Sequence, residues 1–285
     1  MFGSKGLPFF ISEVSSNHSR DLERCRTFIQ TSADIGCDAV KFQLFKIDEL
    51  FAPEILVKSQ EHRDRRQWEL PVSFLPDLSE FCREADIQFS CTPFYLDAVE
   101  ELFPYVDFYK IASYELLWDD LIRQCAQTGK PLVMSTGMAT LSEIKHAVAV
   151  FEEAGGKELS LLHCVSGYPA QPQNCNLSAI ETIRKETGLA IGWSDHSRNP
   201  AVVNRAIHRW GAQTVEFHLD IDEAGEEYST GHCWLPEEIA PVIQMQQVMF
   251  GADGNGIKQP TPDEIADRDW RADPSDGLRP LKGMR

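Results

Sequence analysis

Two histidines, two lysines and several hydroxyls stand at the ends of short apolar runs in this chain. His196 lies in Trp193-Ser-Asp-His-Ser just past one run, and His218 closes the next. If those runs are adjacent strands, about 5 Å apart, the two imidazoles can share one metal ion, with Glu216 or Asp195 orienting or completing the site. Taken singly, either histidine reads as a hydrogen-bonded structural residue; their pairing is what points to a metal. Lys41 and Lys110, with Thr92, Ser113 and Ser135, supply cations and hydroxyls suited to phosphate and carboxylate oxygens. Ser135-Thr-Gly-Met-Ala also leads into a helix start, whose free N–H groups favour an anion. Each of these residues alone has a plainer reading, as a surface lysine or a turn cap, and it is their common placement that favours an anion pocket. Lys41 and Gln43 are two residues apart, as are Glu216 and His218, so each pair shares one strand face. His163, inside Leu161-Leu-His-Cys-Val, admits either a buried hydrogen-bonded role beneath the pocket or direct participation.

Eight runs must position these groups, at 8–14, 38–44, 87–92, 106–113, 131–136, 159–165, 189–194 and 213–219. Glu13 ends the first of them. Helical periodicity follows each run, at 21–35, 72–85, 96–103, 118–127, 141–154, 177–187, 200–210 and 236–250. Thr140 and Glu143 form a capping-box pattern, and Gly36, Gly129, Gly155, Gly188 and Gly211 follow apolar-periodic stretches as stops. Regular strand–helix alternation implies parallel strands. Eight units, with no G-x-G-x-x-G turn after the first run, favour a closed (β/α)8 TIM barrel over a doubly wound open sheet. Strand C-terminal ends then converge on one mouth, bringing distant polar residues together.

The domain reading is a synthase-sized barrel over 1–250 and an extended tail over 251–285, rich in Gly, Pro, Asp and Arg. The charged stretch 45–70 is an insertion after the second strand: a lid, a subunit contact or a solvated surface helix. With 44 acidic and 27 basic residues the formal charge is -17, which argues against a grip on nucleic acid or an anionic membrane. Eight scattered cysteines lack any C-x-x-C pair, so reduced thiols and a cytoplasmic setting are expected. No run of about 18 apolar residues suggests a membrane span.

At these residues the chain resembles the sialic acid (N-acetylneuraminate) synthase family, which includes pseudaminic and legionaminic acid synthases. The resemblance rests on Ile11-Ser-Glu-Val-Ser-Ser-Asn-His18, Gly36-Cys-Asp-Ala-Val-Lys-Phe-Gln43, Ser90-Cys-Thr-Pro-Phe94, Lys110-Ile-Ala-Ser-Tyr-Glu115, Ser135-Thr-Gly-Met138, Leu162-His-Cys164 with Tyr168-Pro169, Gly192-Trp-Ser-Asp-His196 and Glu216-Phe-His218, in family order. It implies a transferase of sialic acid biosynthesis that condenses phosphoenolpyruvate with an open-chain, N-acetylmannosamine-like amino sugar and releases phosphate. It further implies a divalent metal, manganese first and magnesium or cobalt as alternatives, held by His196 and His218. Lys41, Thr92, Lys110, Ser113 and Ser135 would hold phosphoenolpyruvate. Glu13, Gln43, Tyr168 and Glu216, with Lys41, would serve the sugar and the proton transfers, Glu13 as base for an incoming water. A homo-oligomer is expected.

The chain departs from the family pattern in three places. Ser15 and Ser19 replace glycines of the first motif, and Gly231-His232 stands where the family has Asp-His. The family's C-terminal antifreeze-like domain, with its arginine, is expected to be absent, leaving Arg279 and Arg285 as candidate substitutes. Two other functions fit the residues: a non-catalytic sugar-binding or regulatory barrel, and a metal-dependent pyruvate aldolase.

Overall fold

The computed structural model describes residues 6–285. Eight parallel strands close into a barrel in sequence order: β1 (Phe9–Glu13), β2 (Ala39–Leu44), β3 (Gln88–Pro93), β4 (Phe108–Ile111), β5 (Leu132–Ser135), β6 (Leu159–Cys164), β7 (Ala190–Asp195) and β8 (Thr214–His218). Every expected run contains a strand. The fourth is shorter than its apolar pattern: β4 stops at Ile111, and Ser113–Glu115 turns instead as a 3-10 helix. Closure removes both sheet edges, so each strand pairs with two neighbours and reads as a near-continuous apolar run.

Side chains alternate between barrel interior and helix layer. Phe9, Ile11, Ala39, Phe108, Val133 and Leu162 form a buried interior cluster. Two residues further along the same strand faces come Glu13, Lys41, Lys110 and Ser135, all buried. The inward face thus changes from apolar to polar toward the strand C-terminal ends. Register completes the placement, since Glu13 pairs with Lys41 on one side and His218 on the other, and Gln43 pairs with Thr92.

The outer layer begins with α1 (Leu22–Asp34), capped by Asp21, whose carboxylate accepts from the Glu23 and Arg24 amides. The 45–70 insertion folds into three short helices, α2 (Ile47–Leu50), α3 (Pro53–Lys58) and α4 (Gln60–Asp64). Then come α5 (Leu75–Glu84), α6 (Asp97–Leu102), α7 (Asp119–Gln127), α8 (Leu141–Glu153), α9 (Ala179–Thr187), α10 (Pro200–Trp210) and α11 (Pro236–Asp253). The Thr140–Glu143 capping box is formed. Gly188 and Gly211 end their helices in the left-handed conformation that glycine adopts freely.

Residues 249–285 make a second compact unit, distinct from 1–248. This tail contains three 3-10 turns, Pro262–Glu264, Arg268–Trp270 and Lys282–Met284. Asp273 ties it internally by accepting from the Ser275 and Lys282 amides, and Arg285 is spent on Asp276 within the tail. Trp270 is exposed.

Candidate active site at the barrel mouth

Lys41 and Lys110 are each about 2% exposed. Such ammonium groups require compensation. Lys41 Nζ pairs with Glu13 and donates to Thr92 Oγ1 at 3.1 Å, while Lys110 Nζ lies 3.3 Å from Glu216 Oε1. Burial, opposed by Glu216 and reinforced by Lys110, lowers Lys41 to about 8. For Glu216 burial opposes ionisation, but Lys110 and Lys41 outweigh it and hold the carboxyl below its usual range.

Beside these charges is a set of hydroxyls around Gly137. A Cβ there would come within 2.5 Å of Ser166 Oγ, 2.7 Å of Cys164 Sγ and 2.8 Å of Ser113 Oγ, so the three converge on one glycine. Ser113 Oγ accepts from the Gly137 amide at 3.0 Å. Ser135 Oγ and Ser166 Oγ are buried without a hydrogen-bond partner. Buried hydroxyls are rarely left so, and two of them beside two buried lysines suit the oxygens of an anionic ligand.

Four rings stand on the other side of the mouth. His196 and His218 have centroids 5.4 Å apart, and Tyr168 lies 4.2 Å from His196. His232 joins them, 4.5 Å from His218. The His196 Nδ1–H donates to the Val165 carbonyl at 2.8 Å, which leaves Nε2 as the lone-pair nitrogen. Burial lowers His196 to about 3 and also lowers His218. Both rings are therefore neutral at pH 7, the form that ligates metals. Two neutral imidazoles at this separation, beside a carboxylate, fit a divalent ion.

Other polar residues have structural partners. Asp195 accepts from the indole N–H groups of Trp193 and Trp234, each at 3.0 Å, and from Ser197 Oγ, so it braces the strand end. Glu216 faces Lys110. His163 donates from Nε2 to the Cys175 carbonyl at 2.9 Å and packs beside Trp193. Gln43 is half-buried at the end of β2. A cavity of about 610 Å³ at the opposite end of the barrel, lined by Cys37, Asp38, Cys82, Arg83, Tyr105 and Asp107, contains none of the mouth residues.

Two groups at the mouth, Glu115 and Glu227, had no role in the sequence reading, and His232 entered it only as part of Gly231-His232. Glu115 is largely buried, its Oε2 unpartnered, and burial outweighs nearby Lys110 to raise it to about 7. Its signal was its place five residues after Lys110. Glu227 and His232 come from the loop after β8, where no strand period marks them. Donor atoms of His218, Glu227, His232 and Cys233 nonetheless lie within 4.8 Å of one another.

Comparison with known proteins bears on the whole arrangement. The NeuB family profile matches residues 28–258. The chain is 32% identical to an N,N'-diacetyllegionaminic acid synthase of Legionella pneumophila, over 92% of this chain and 78% of that protein. It is 28% identical to the spore coat polysaccharide biosynthesis protein SpsE of Bacillus subtilis, over 92% and 73% respectively. The crystal structure of an N-acetylneuraminic acid synthetase from Leptospira borgpetersenii superposes with a TM-score of 0.81 at 29% identity, covering 93% of this chain and 91% of the other. With a closed eightfold barrel and a polar mouth in which the motif residues meet, this chain belongs to the NeuB family.

Proposed function

We propose that this chain condenses phosphoenolpyruvate with the aldehyde of an open-chain, N-acetylmannosamine-like amino sugar, yielding a nonulosonic acid of the sialic type and inorganic phosphate. The carrying observation is two buried lysines and two unpartnered buried hydroxyls next to a neutral imidazole pair. Family relatives named as legionaminic and sialic acid synthases support the same reading.

Lys41, Lys110, Thr92, Ser113 and Ser135 would bind the phosphate and carboxylate, removing their mutual repulsion and fixing the enol carbon for attack. His196 and His218 would hold a divalent ion, manganese in our reading, which when bound supplies Lewis-acid polarisation of the aldehyde. Bond formation at the enol carbon leaves its neighbour electron-poor, and water adds there. Glu13, paired with Lys41 and accepting from the Ser15 amide at 2.6 Å, would take the water's proton. Collapse of that adduct expels phosphate. Tyr168 and Gln43 would face the sugar, and Glu216, with Oε1 3.3 Å from Lys110 Nζ, orients that lysine.

Eight free, buried thiols support a reducing, cytoplasmic setting. Among the described residues no helix is long and apolar enough to cross a membrane. Tyr114, Leu117 and Met138, exposed apolar side chains just past β4 and β5, support a homo-oligomer in which a second copy covers them.

Incubation with phosphoenolpyruvate, manganese and a panel of N-acetylated hexosamines tests the activity through phosphate release. Release is expected from at least one sugar, and a loss of at least about 100-fold from His218→Ala, the scale on which electrostatic stabilisation acts. A broad panel of aldoses and hexosamines without phosphate release would overturn the assignment.

A further inference from the structure

We propose that Cys164 is a positioning residue: its thiol donates to Ser113 Oγ and so keeps that serine's own proton free for an oxygen of the anionic substrate. The proposal rests on the phosphoenolpyruvate reading above and deepens it.

A serine hydroxyl has one proton to give and two lone pairs to fill. At Ser113 the Gly137 amide takes one lone pair, at 3.0 Å. Cys164 Sγ stands 3.1 Å from the same oxygen. A hydrogen bond between thiol and hydroxyl can run either way, and the two directions have opposite consequences for a ligand. If Ser113 gave its proton to sulfur, the hydroxyl would offer the pocket only a lone pair, which repels phosphate and carboxylate oxygens. If the thiol donates, both lone pairs of Ser113 are filled and its proton is left for the ligand. Three observations select the second direction. Sulfur is the weaker acceptor of the two. The Gly137 amide, which donates to Ser113, also faces the sulfur and occupies its accepting side. Burial raises the thiol's pKa against the pull of Lys110, so the S–H proton is present at pH 7.

Three strand ends build the arrangement. Ser113 opens the turn after β4, Gly137 follows β5, and Cys164 closes β6. Cys164 lies two residues beyond Leu162 on the inward face of its strand, where the barrel interior turns from apolar to polar. Glycine at 137 permits the approach, since a Cβ there would lie 2.8 Å from Ser113 Oγ and 2.7 Å from Cys164 Sγ. The thiol is buried, so water does not compete for its proton. Ser135 Oγ and Ser166 Oγ, buried without partners, show that the same cradle is short of acceptors until a ligand supplies them.

The test is phosphoenolpyruvate binding to the full chain by calorimetry, without sugar and with manganese present throughout. Cys164→Ala is expected to raise Kd about threefold to tenfold, the range of one net hydrogen bond. Cys164→Ser keeps a donor and is expected to stay within about twofold of the parent. In a Ser113→Ala background Cys164→Ala is expected to add nothing, because the thiol acts through that hydroxyl. A packing role would instead give the same loss with and without Ser113, and serine would not rescue it. The infrared S–H stretch, taken as parent minus Cys164→Ala, reads the thiol directly and is expected to shift when Ser113 becomes alanine. Equal losses in both backgrounds, an alanine variant that binds like the parent, or an S–H stretch indifferent to Ser113→Ala would overturn the proposal. A parent that binds phosphoenolpyruvate with this coupling yet releases no phosphate with any sugar would sink the proposed activity and leave the role of Cys164 standing.

Discussion

Lys41 shows what burial does to one side chain. Its ammonium is surrounded by Glu13, Thr92 and the barrel wall, and loss of water brings it down to about 8 from 10.5. A dianionic or trianionic ligand binds the protonated form, so affinity is complete below that value and declines above it. Phosphoenolpyruvate affinity is therefore expected to fall by up to about tenfold per pH unit as pH rises past 8, measured as Kd by calorimetry from pH 6.5 to 9.5. A flat profile across that range would show that the charge of Lys41 does not contribute. The identities of Lys41, Lys110 and His218 as site candidates were legible from their place at strand ends. The engagement of Asp195 with two indoles was not, because Trp234 approaches it from a loop 39 residues further on.

Between residue and molecule, the strand ends and the loops leaving them decide what meets. Gly137, just past β5, is the point where Ser113, Cys164 and Ser166 from two other strand ends converge. A methyl group there would push those polar atoms apart while leaving the strand ladder intact. Gly137→Ala should weaken phosphoenolpyruvate binding by about tenfold, or about 1.4 kcal/mol, with Tm within a few degrees of the parent. Binding titration against thermal melting separates the two effects, and unchanged affinity would remove the hydroxyl cradle from the ligand site. Strands and helices were legible from period and caps, within a few residues. The insertion was recognised as a segment, but its three short helices were not resolved, since charged residues there obscure any apolar period.

The barrel as a whole stands on the interior layer beneath the mouth. Leu162 is fully buried there with Phe9, Ile11 and Val133. Leu162→Ala is expected to cost about 2–5 kcal/mol, read from urea unfolding; a loss under about 1 kcal/mol would mean that the layer collapses around the gap. That layer also sets the height at which Glu13, Lys41 and Lys110 emerge, so some loss of ligand affinity should accompany it. By itself the amino-acid order determined the strand–helix alternation, the number of units, and which ionisable groups end each strand, because these follow from local periodicity and local capping. Only the tertiary structure decided that a serine at 15, an asparagine at 17, a glutamate at 227 and a histidine at 232 share one corner. Barrel closure brings the first and last strands side by side, and no local pattern encodes a contact across more than 200 residues.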